Sequence, residues 1–208
     1  MSFPRWKIIH IGCLSHNPYW GEDDARRASS CTCTYIQAGN RQILVDPAIS
    51  NAQEFEKALD ERSGLAMEDI DTVFLTHFHR CHWRGLCLFP KSVWLMSRAE
   101  IRWWQNAAST TEEEQNILSR IVPIEEHRLP EIDSLSTPGH SHGLTSLIFE
   151  TREGSVVVAG DAVLTFEHFQ EREPAGVCED YRQARRSMDR IAKLADLVIP
   201  GHGNFFVV

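Results

Sequence analysis

Between Thr76 and Gly85 the chain reads Thr-His-Phe-His-Arg-Cys-His-Trp-Arg-Gly, which sets His77, His79, Cys81 and His82 within six residues. Imidazole and thiolate are the donors zinc prefers, and four of them in so short a run serve no packing purpose. No single regular element presents all four to one point. Positions 77, 79 and 81 would share one face of a strand, whereas 79 and 82, or 77, 81 and 82, would suit a helix. A loop wrapped around a pair of ions satisfies the set, with His77 and His79 turned to one ion and Cys81 and His82 to the other.

Three further donors stand at matching places. His140 follows a predicted strand at 134–137 through Pro138-Gly139, Asp161 follows one at 155–159 through Gly160, and His202 follows one at 197–199 through Pro200-Gly201. His77 likewise follows a strongly apolar strand at 71–75. Glycine before a donor lets the backbone turn sharply, and loops at one end of a sheet can bring such side chains together. The repetition of strand, glycine and donor makes a metal site the expectation for His77, His79, Cys81, His82, His140, Asp161 and His202, holding one or two Zn2+ ions. Other residues have weaker claims. His10, His16, His127 and His168 lack ligand spacing and are expected in structural roles. Cys31 and Cys33 sit at strand spacing with no second pair nearby, which favours core packing. Trp94, Trp103 and Trp104 are expected in aromatic packing, while Tyr19, Trp20, Phe166 and Phe169 could shape a substrate mouth.

These side chains need a scaffold, and the pattern predicts one. Strands are expected at 8–14, 32–38, 42–46, 71–76, 92–96, 134–137, 145–151, 155–160 and 197–200, with Gly39-Asn40 and Glu153-Gly154 as hairpin turns. Helices are expected at 52–62 with Asn51 as cap, from Ser97 with Glu100 completing a capping box, at 110–121, and at 179–195. Hairpins in each half with helices between and after them imply an α/β fold, two packed sheets covered outside by helices in an αββα sandwich. The polar segments 15–30 and 165–177 lack a period and are expected as loops over the site. The reading is of a single domain over 1–208, with no additional C-terminal substrate domain after His202.

Composition narrows the partners. The 208 residues are 42% hydrophobic and 24% charged, a balance suited to a sizeable core, and the formal net charge is −8. An acidic protein repels anionic polymers, so a small-molecule substrate is expected and nucleic acid is not. Arg182, Arg185, Arg186 and Arg190 lie among acidic residues at helical spacing and read as a solvated face. No run reaches the ~18 apolar residues of a membrane span. The N-terminus lacks the pattern of a secretory signal, so no membrane association and a cytoplasmic location with free thiols are expected.

Taken together these motifs resemble the metallo-β-lactamase superfamily. Its His-x-His-x-Asp-His hallmark is similar to His77-Phe78-His79-Arg80-Cys81-His82, and its later motifs match Thr137-Pro138-Gly139-His140, Gly160-Asp161 and Pro200-Gly201-His202. Ile43-Leu44-Val45-Asp46 matches the early strand whose closing aspartate supports the site. The resemblance implies an αββα fold, one metal on His77, His79 and His140, and a second on Cys81, His82 and His202, with Asp161 bridging. It also implies a zinc-dependent hydrolase that uses metal-bound hydroxide on an ester, thioester or lactone. Cys81 departs from the family, which has aspartate there. A thiolate binds zinc well but is a weak hydrogen-bond acceptor, so proton handling shifts to Asp161 or to a neighbour such as His142, which could orient hydroxide, touch substrate or simply be exposed. Two rivals are a mononuclear iron enzyme resembling persulfide dioxygenases and a zinc-binding member without hydrolytic activity.

Overall fold

The computed structural model describes residues 3–208. Strands β1 (Arg5–His10), β2 (Cys33–Ala38), β3 (Arg41–Val45), β4 (Thr72–Phe74), β5 (Val93–Met96) and β6 (Val122–Pro123) form one sheet in that order. The first two pairings are antiparallel, and the pairings from β3 to β6 are parallel. Strands β7 (Asp133–Ser136), β8 (Thr145–Thr151), β9 (Gly154–Gly160), β10 (Leu197–Pro200) and β11 (Phe206–Val207) form the second sheet in the order β7-β8-β9-β10-β11. There β9 and β10 run parallel and the rest antiparallel. Gly39, at φ 57°, closes the β2–β3 hairpin in a conformation that costs a side-chain-bearing residue energy.

Alternation along the strands explains the layering. Ile43 and Val45 of β3 and Val156 and Val158 of β9 face a core between the sheets, together with Phe74, Leu95, Leu147, Phe149 and Ile199. Leu44 and Val73 point the other way, into a core with Phe55, Leu59 and Ile101. Val157 and Val198 do the same in the second sheet, against Met188 and Ile191. Strands covered on both faces read as unbroken apolar runs, as these do. The helices that cover them include α1 (Ala52–Ser63) and α3 (Arg98–Asn106) on the first sheet and α6 (Tyr181–Leu194) on the second. In α6 the buried positions are Ala184, Ser187, Met188 and Ile191, and Arg182, Arg185, Arg186 and Arg190 are exposed. The result is the expected mixed α/β sandwich, two sheets flanked by helices.

Several boundaries differ from the sequence expectation, each for a local reason. Strand β4 ends at Phe74 because Thr76 gives its N–H to the Asp46 carboxylate, 2.8 Å away, and leaves the ladder. Segment 165–177 is not all loop: α5 (Phe166–Glu171) forms there, capped by Thr165 and anchored by buried Phe169. The short helix α4 (Glu112–Leu118) carries a complete capping box between Thr111 and Glu114. The box expected at Ser97 is incomplete. Ser97 accepts the Glu100 N–H, but the Glu100 carboxylate turns inward to other partners. No helix among the described residues is long and apolar enough to cross a membrane.

Candidate metal centre

Apart from Cys81 and His82, every candidate donor lies just beyond a strand end at one edge of the sandwich. Asp46 closes β3, His77 and His79 follow β4, His140 follows β7, Asp161 follows β9 and His202 follows β10. Cys81 and His82 sit on α2 (Arg80–Trp83), a single helical turn where the sequence predicts a loop. That turn is held by Trp83, whose ring stacks on Phe78 and whose Nε1 donates to the Phe78 carbonyl at 3.1 Å. A Cβ on Gly201 would be driven into Oδ1 of Asp161, so glycine there is what lets β10 approach the carboxylate.

The donors fall into two groups. His77, His79, His140 and Asp161 form one; Cys81, His82 and His202 form the other, and within each group the donor atoms lie within 4.8 Å of one another. Asp161 stands between them. Its Oδ2 is 3.2 Å from His140 Nε2 and 3.8 Å from His77 Nε2, while its Oδ1 is 3.2 Å from His82 Nε2 and 3.4 Å from His202 Nε2. His79 turns Nδ1 to the group, 3.0 Å from His140 Nε2.

Hydrogen bonds behind the rings fix which nitrogen faces inward. His202 Nδ1 lies 2.8 Å from the Ser30 carbonyl, which can only accept, so Nδ1 carries the proton and Nε2 offers its lone pair when the ring is neutral. Nδ1 of His82 donates likewise to Asp46 Oδ2 at 2.9 Å. The Thr76 hydroxyl spends its proton on the same Oδ2 at 2.7 Å and is left to accept from His77 Nδ1 at 3.1 Å. One buried carboxylate thus orients a histidine of each group.

Electrostatics divide the site. Burial and then the charge of His82 hold His77 well below the usual histidine range, and burial brings His140 down to about 4, so both rings are neutral at pH 7. Burial works against the charge on His202, but facing Asp161 lifts it to about 10. Burial also pushes the Cys81 thiol up, yet hydrogen bonding with His202 and His82 outweighs it and brings the thiol down to about 7. Asp161 is held well below the carboxylate range, since His82, His202 and His140 overcome its burial.

The remaining sequence candidates lie elsewhere. His142 is exposed at the rim, its ring stacked on Trp103 at 3.5 Å between centroids and Nδ1 4.0 Å from Glu179. His10 bonds the Ser30 hydroxyl, His16 is exposed, His127 is half-buried, and buried His168 bonds Thr165 and packs edge-on against Tyr19. Cys31 and Cys33 are fully buried, and each of the six cysteines is a free thiol. Trp94 is a core residue; Trp103 is 41% exposed, and Trp104 packs edge-on to His79.

Sequence reasoning missed Glu100. It is fully buried, and its carboxylate accepts from Phe78 N at 3.1 Å, Trp104 Nε1 at 2.9 Å, Ser141 Oγ at 2.9 Å and Gly143 N at 2.8 Å. It therefore ties the loop carrying His77 and His79 to the loop carrying His140. A glutamate three residues after a helix-capping serine looks like a capping box, so nothing local in the sequence marks it out.

The metallo-beta-lactamase superfamily pattern matches residues 26–202, and the chain belongs to that superfamily. A metallo-beta-lactamase domain-containing protein 1 from Xenopus laevis is 32% identical over 181 residues, covering 84% of this chain and 71% of its own length. An N-acyl homoserine lactonase from Bacillus cereus is 30% identical over 152 residues, covering 68% of this chain and 59% of its own. Among solved structures, an N-acyl homoserine lactone hydrolase with N-hexanoyl-L-homoserine bound at its catalytic metal centre superposes with a TM-score of 0.71 at 22% identity, over 97% of this chain and 94% of the other. That likeness establishes the fold.

Proposed function

We propose that this chain is a metal-dependent hydrolase of a small-molecule ester, thioester or lactone, with a pair of zinc ions as its cofactor. The observation that carries the reading is Asp161, a carboxylate whose two oxygens face two different histidine pairs at 3.2–3.8 Å. The donors fit such ions. Nε2 of His77 and His82 and Oδ1 of Asp161 are buried with no hydrogen-bond partner among the described residues, a costly state that a cation would relieve. His77, His79, His140 and one Asp161 oxygen would hold one ion; Cys81, His82, His202 and the other oxygen would hold the second. Zinc bound there would polarise a substrate oxygen and lower the pKa of water to roughly 7.

The chain's own groups do the rest. Asp46 keeps one imidazole of each group, His82 directly and His77 through the Thr76 hydroxyl, in the tautomer that offers Nε2. Asp161 stays ionised beside His82, His202 and His140 and, with one oxygen turned to each group, sets the spacing between them. His142 is not among the clustered donors; exposed and stacked on Trp103, it is assigned contact with substrate rather than a share in binding the ions. A lactonase among the relatives supports a lactone or a related acyl compound as substrate.

The test combines metal analysis of freshly purified protein with a panel of lactones, esters, thioesters, lactams and phosphodiesters. One to two zinc ions per chain are expected, with acyl turnover that His77→Ala and His140→Ala abolish together with metal retention. One iron per chain would turn the reading to oxygenase chemistry, and the grouping of Cys81 with His82 and His202 argues against that. Zinc without turnover of any panel member would leave a binding module.

A further inference from the structure

Beside the cluster lies a second feature, a cavity of about 390 Å³ between the segment after β1, the start of α5 and the tail after β10. His202 is the one cluster residue in its wall. Large apolar side chains that would ordinarily be covered stand open around it: Trp20 at 62% exposure, Ile11 at 45%, and Phe166 and Phe205 at 41% each. Four such residues converging on one hollow mark a binding surface in a way that scattered exposed side chains do not.

The charged groups in the wall are already engaged. Arg27 is paired with Glu22, and its Nη1 donates to the Leu14 carbonyl at 3.2 Å. Glu167 accepts from Trp20 Nε1 on one oxygen and from the Thr165 hydroxyl on the other, each at 2.7 Å. A charged ligand end would find no free partner here and would be desolvated without return. The walls are also fixed in place. The tail is pinned by the pairing of β11 with β10, and Thr32 holds the turn after His202 through its hydroxyl to the Gly203 carbonyl at 2.7 Å.

Resting on the hydrolase reading above, we propose that the substrate carries an uncharged apolar arm, and that this arm leaves the reacting carbonyl past His202 into the cavity. The volume of about 390 Å³ is at the small end of ligand pockets; at roughly 30 Å³ for each water-sized group it holds about thirteen, and filled to the density of about 0.75 found in protein interiors it has room for a chain of about ten carbons. Burying a methylene is worth about a three- to fourfold gain, so selectivity should climb with chain length until the cavity is full.

The experiment has two arms on the zinc-loaded protein. In the first, kcat/KM is measured for p-nitrophenyl esters from acetate to dodecanoate and for γ-alkyl lactones of matching length. In one or both series it should rise about three- to fourfold per methylene and level off near ten carbons, and Ile11→Glu should reduce the octanoyl-to-acetyl ratio at least tenfold. In the second, unreactive n-alkanols are titrated while fluorescence is followed, with Trp20→Phe identifying the signal from the cavity wall. Affinity should climb by the same factor per methylene, and Ile11→Glu should erase the trend. Alkanol binding without turnover would keep the cavity and remove the hydrolase; turnover with flat length dependence in both series, or alkanol affinities indifferent to Ile11→Glu, would overturn the apolar-arm proposal.

Discussion

Asp46 and Glu100 are buried carboxylates whose hydrogen-bond donors among the described residues include no lysine or arginine, and each is stabilised by backbone, hydroxyl and ring donors that converge on it. Their effects should separate. Asp46→Asn replaces an acceptor with a donor beside His82 Nδ1 and the Thr76 hydroxyl. Both bond Oδ2 while the Thr76 N–H bonds Oδ1, so an amide that keeps its oxygen on the Thr76 N–H turns its NH2 towards His82 Nδ1, and the proton on His82 moves to Nε2, where it blocks ligation. Losing such a support costs metal affinity about 10–100-fold, measurable by zinc competition against a chromophoric chelator. Unaltered affinity would show that the tautomer is not set by Asp46. Glu100→Gln puts an amide among four donors and leaves at least one unpaired. A loss of about 2–3 kcal/mol is expected, a fall of about 5–10 °C in Tm, because the amide unties the two loops that present His79 and His140. A melt within a degree of wild type would sink that role. Cys81 gives a pH-dependent readout. Its thiol, lowered to about 7, is protonated below that pH and thiolate above it, so alkylation of metal-free protein at Cys81, followed by peptide mapping, should rise with a midpoint near 7. Cys31, pushed by burial to about 12, should stay unmodified throughout. A Cys81 midpoint near the ordinary 8.5 would show that His202 and His82 do not act on it.

At the scale of elements, the strand–glycine–donor repeat decides whether the donors can meet. Gly201 is the sharpest case, since a Cβ there would occupy the space of Asp161 Oδ1, whereas a Cβ at Gly176 meets nothing within 4 Å. Gly201→Ala should displace the Asp161 carboxylate and lower kcat/KM at least 100-fold with helix and strand content retained by circular dichroism, while Gly176→Ala serves as the silent control. Equal activity in the two variants would contradict a close-approach role. This repeat is also why so much was legible beforehand. Strands buried on both faces, such as β8 and β9, leave unbroken apolar runs, and hairpin glycines mark their ends, so 145–151 coincides with the observed strand. What was not legible depended on tertiary partners. Helix α5 is six residues, too short to show a period, and exists because Thr165 caps it and Phe169 finds the second-sheet core. Helix α2 is a single turn whose propensity is overruled by the stacking of Trp83 on Phe78. Ser97 and Glu100 show the opposite failure: a correct local motif whose carboxylate was claimed by loops some forty residues away.

Across the whole molecule, the candidate centre spans the seam between the sheets. His77, His79, Cys81 and His82 hang from the first sheet, while His140, Asp161 and His202 hang from the second. Each proposed ion would therefore take donors from both sheets and join them. The backbone already crosses there, Thr145 N donating to the Thr76 carbonyl at 3.0 Å and Thr32 N to the Gly201 carbonyl at 2.7 Å. Away from the edge, the apolar layer of Ile43, Val45, Phe74, Leu95, Leu147, Phe149, Val156 and Val158 holds the sheets together without any ion, each side chain contributing about 1.5–3 kcal/mol. The metal-free chain should consequently keep its fold and lose only the stabilisation that binding adds. At a free zinc concentration 100 times Kd that amounts to about 2.7 kcal/mol, and for a chain of this size to about 5–10 °C in Tm. Paired melts in chelator and in zinc test it. Superimposable folded-state spectra with a gap of that order are expected, and the gap should shrink in Asp161→Ala, which removes the carboxylate shared by both groups. Identical melting temperatures with and without zinc would mean that no ion bridges the seam; loss of the fold in chelator would mean that the inter-sheet layer is weaker than its burial implies.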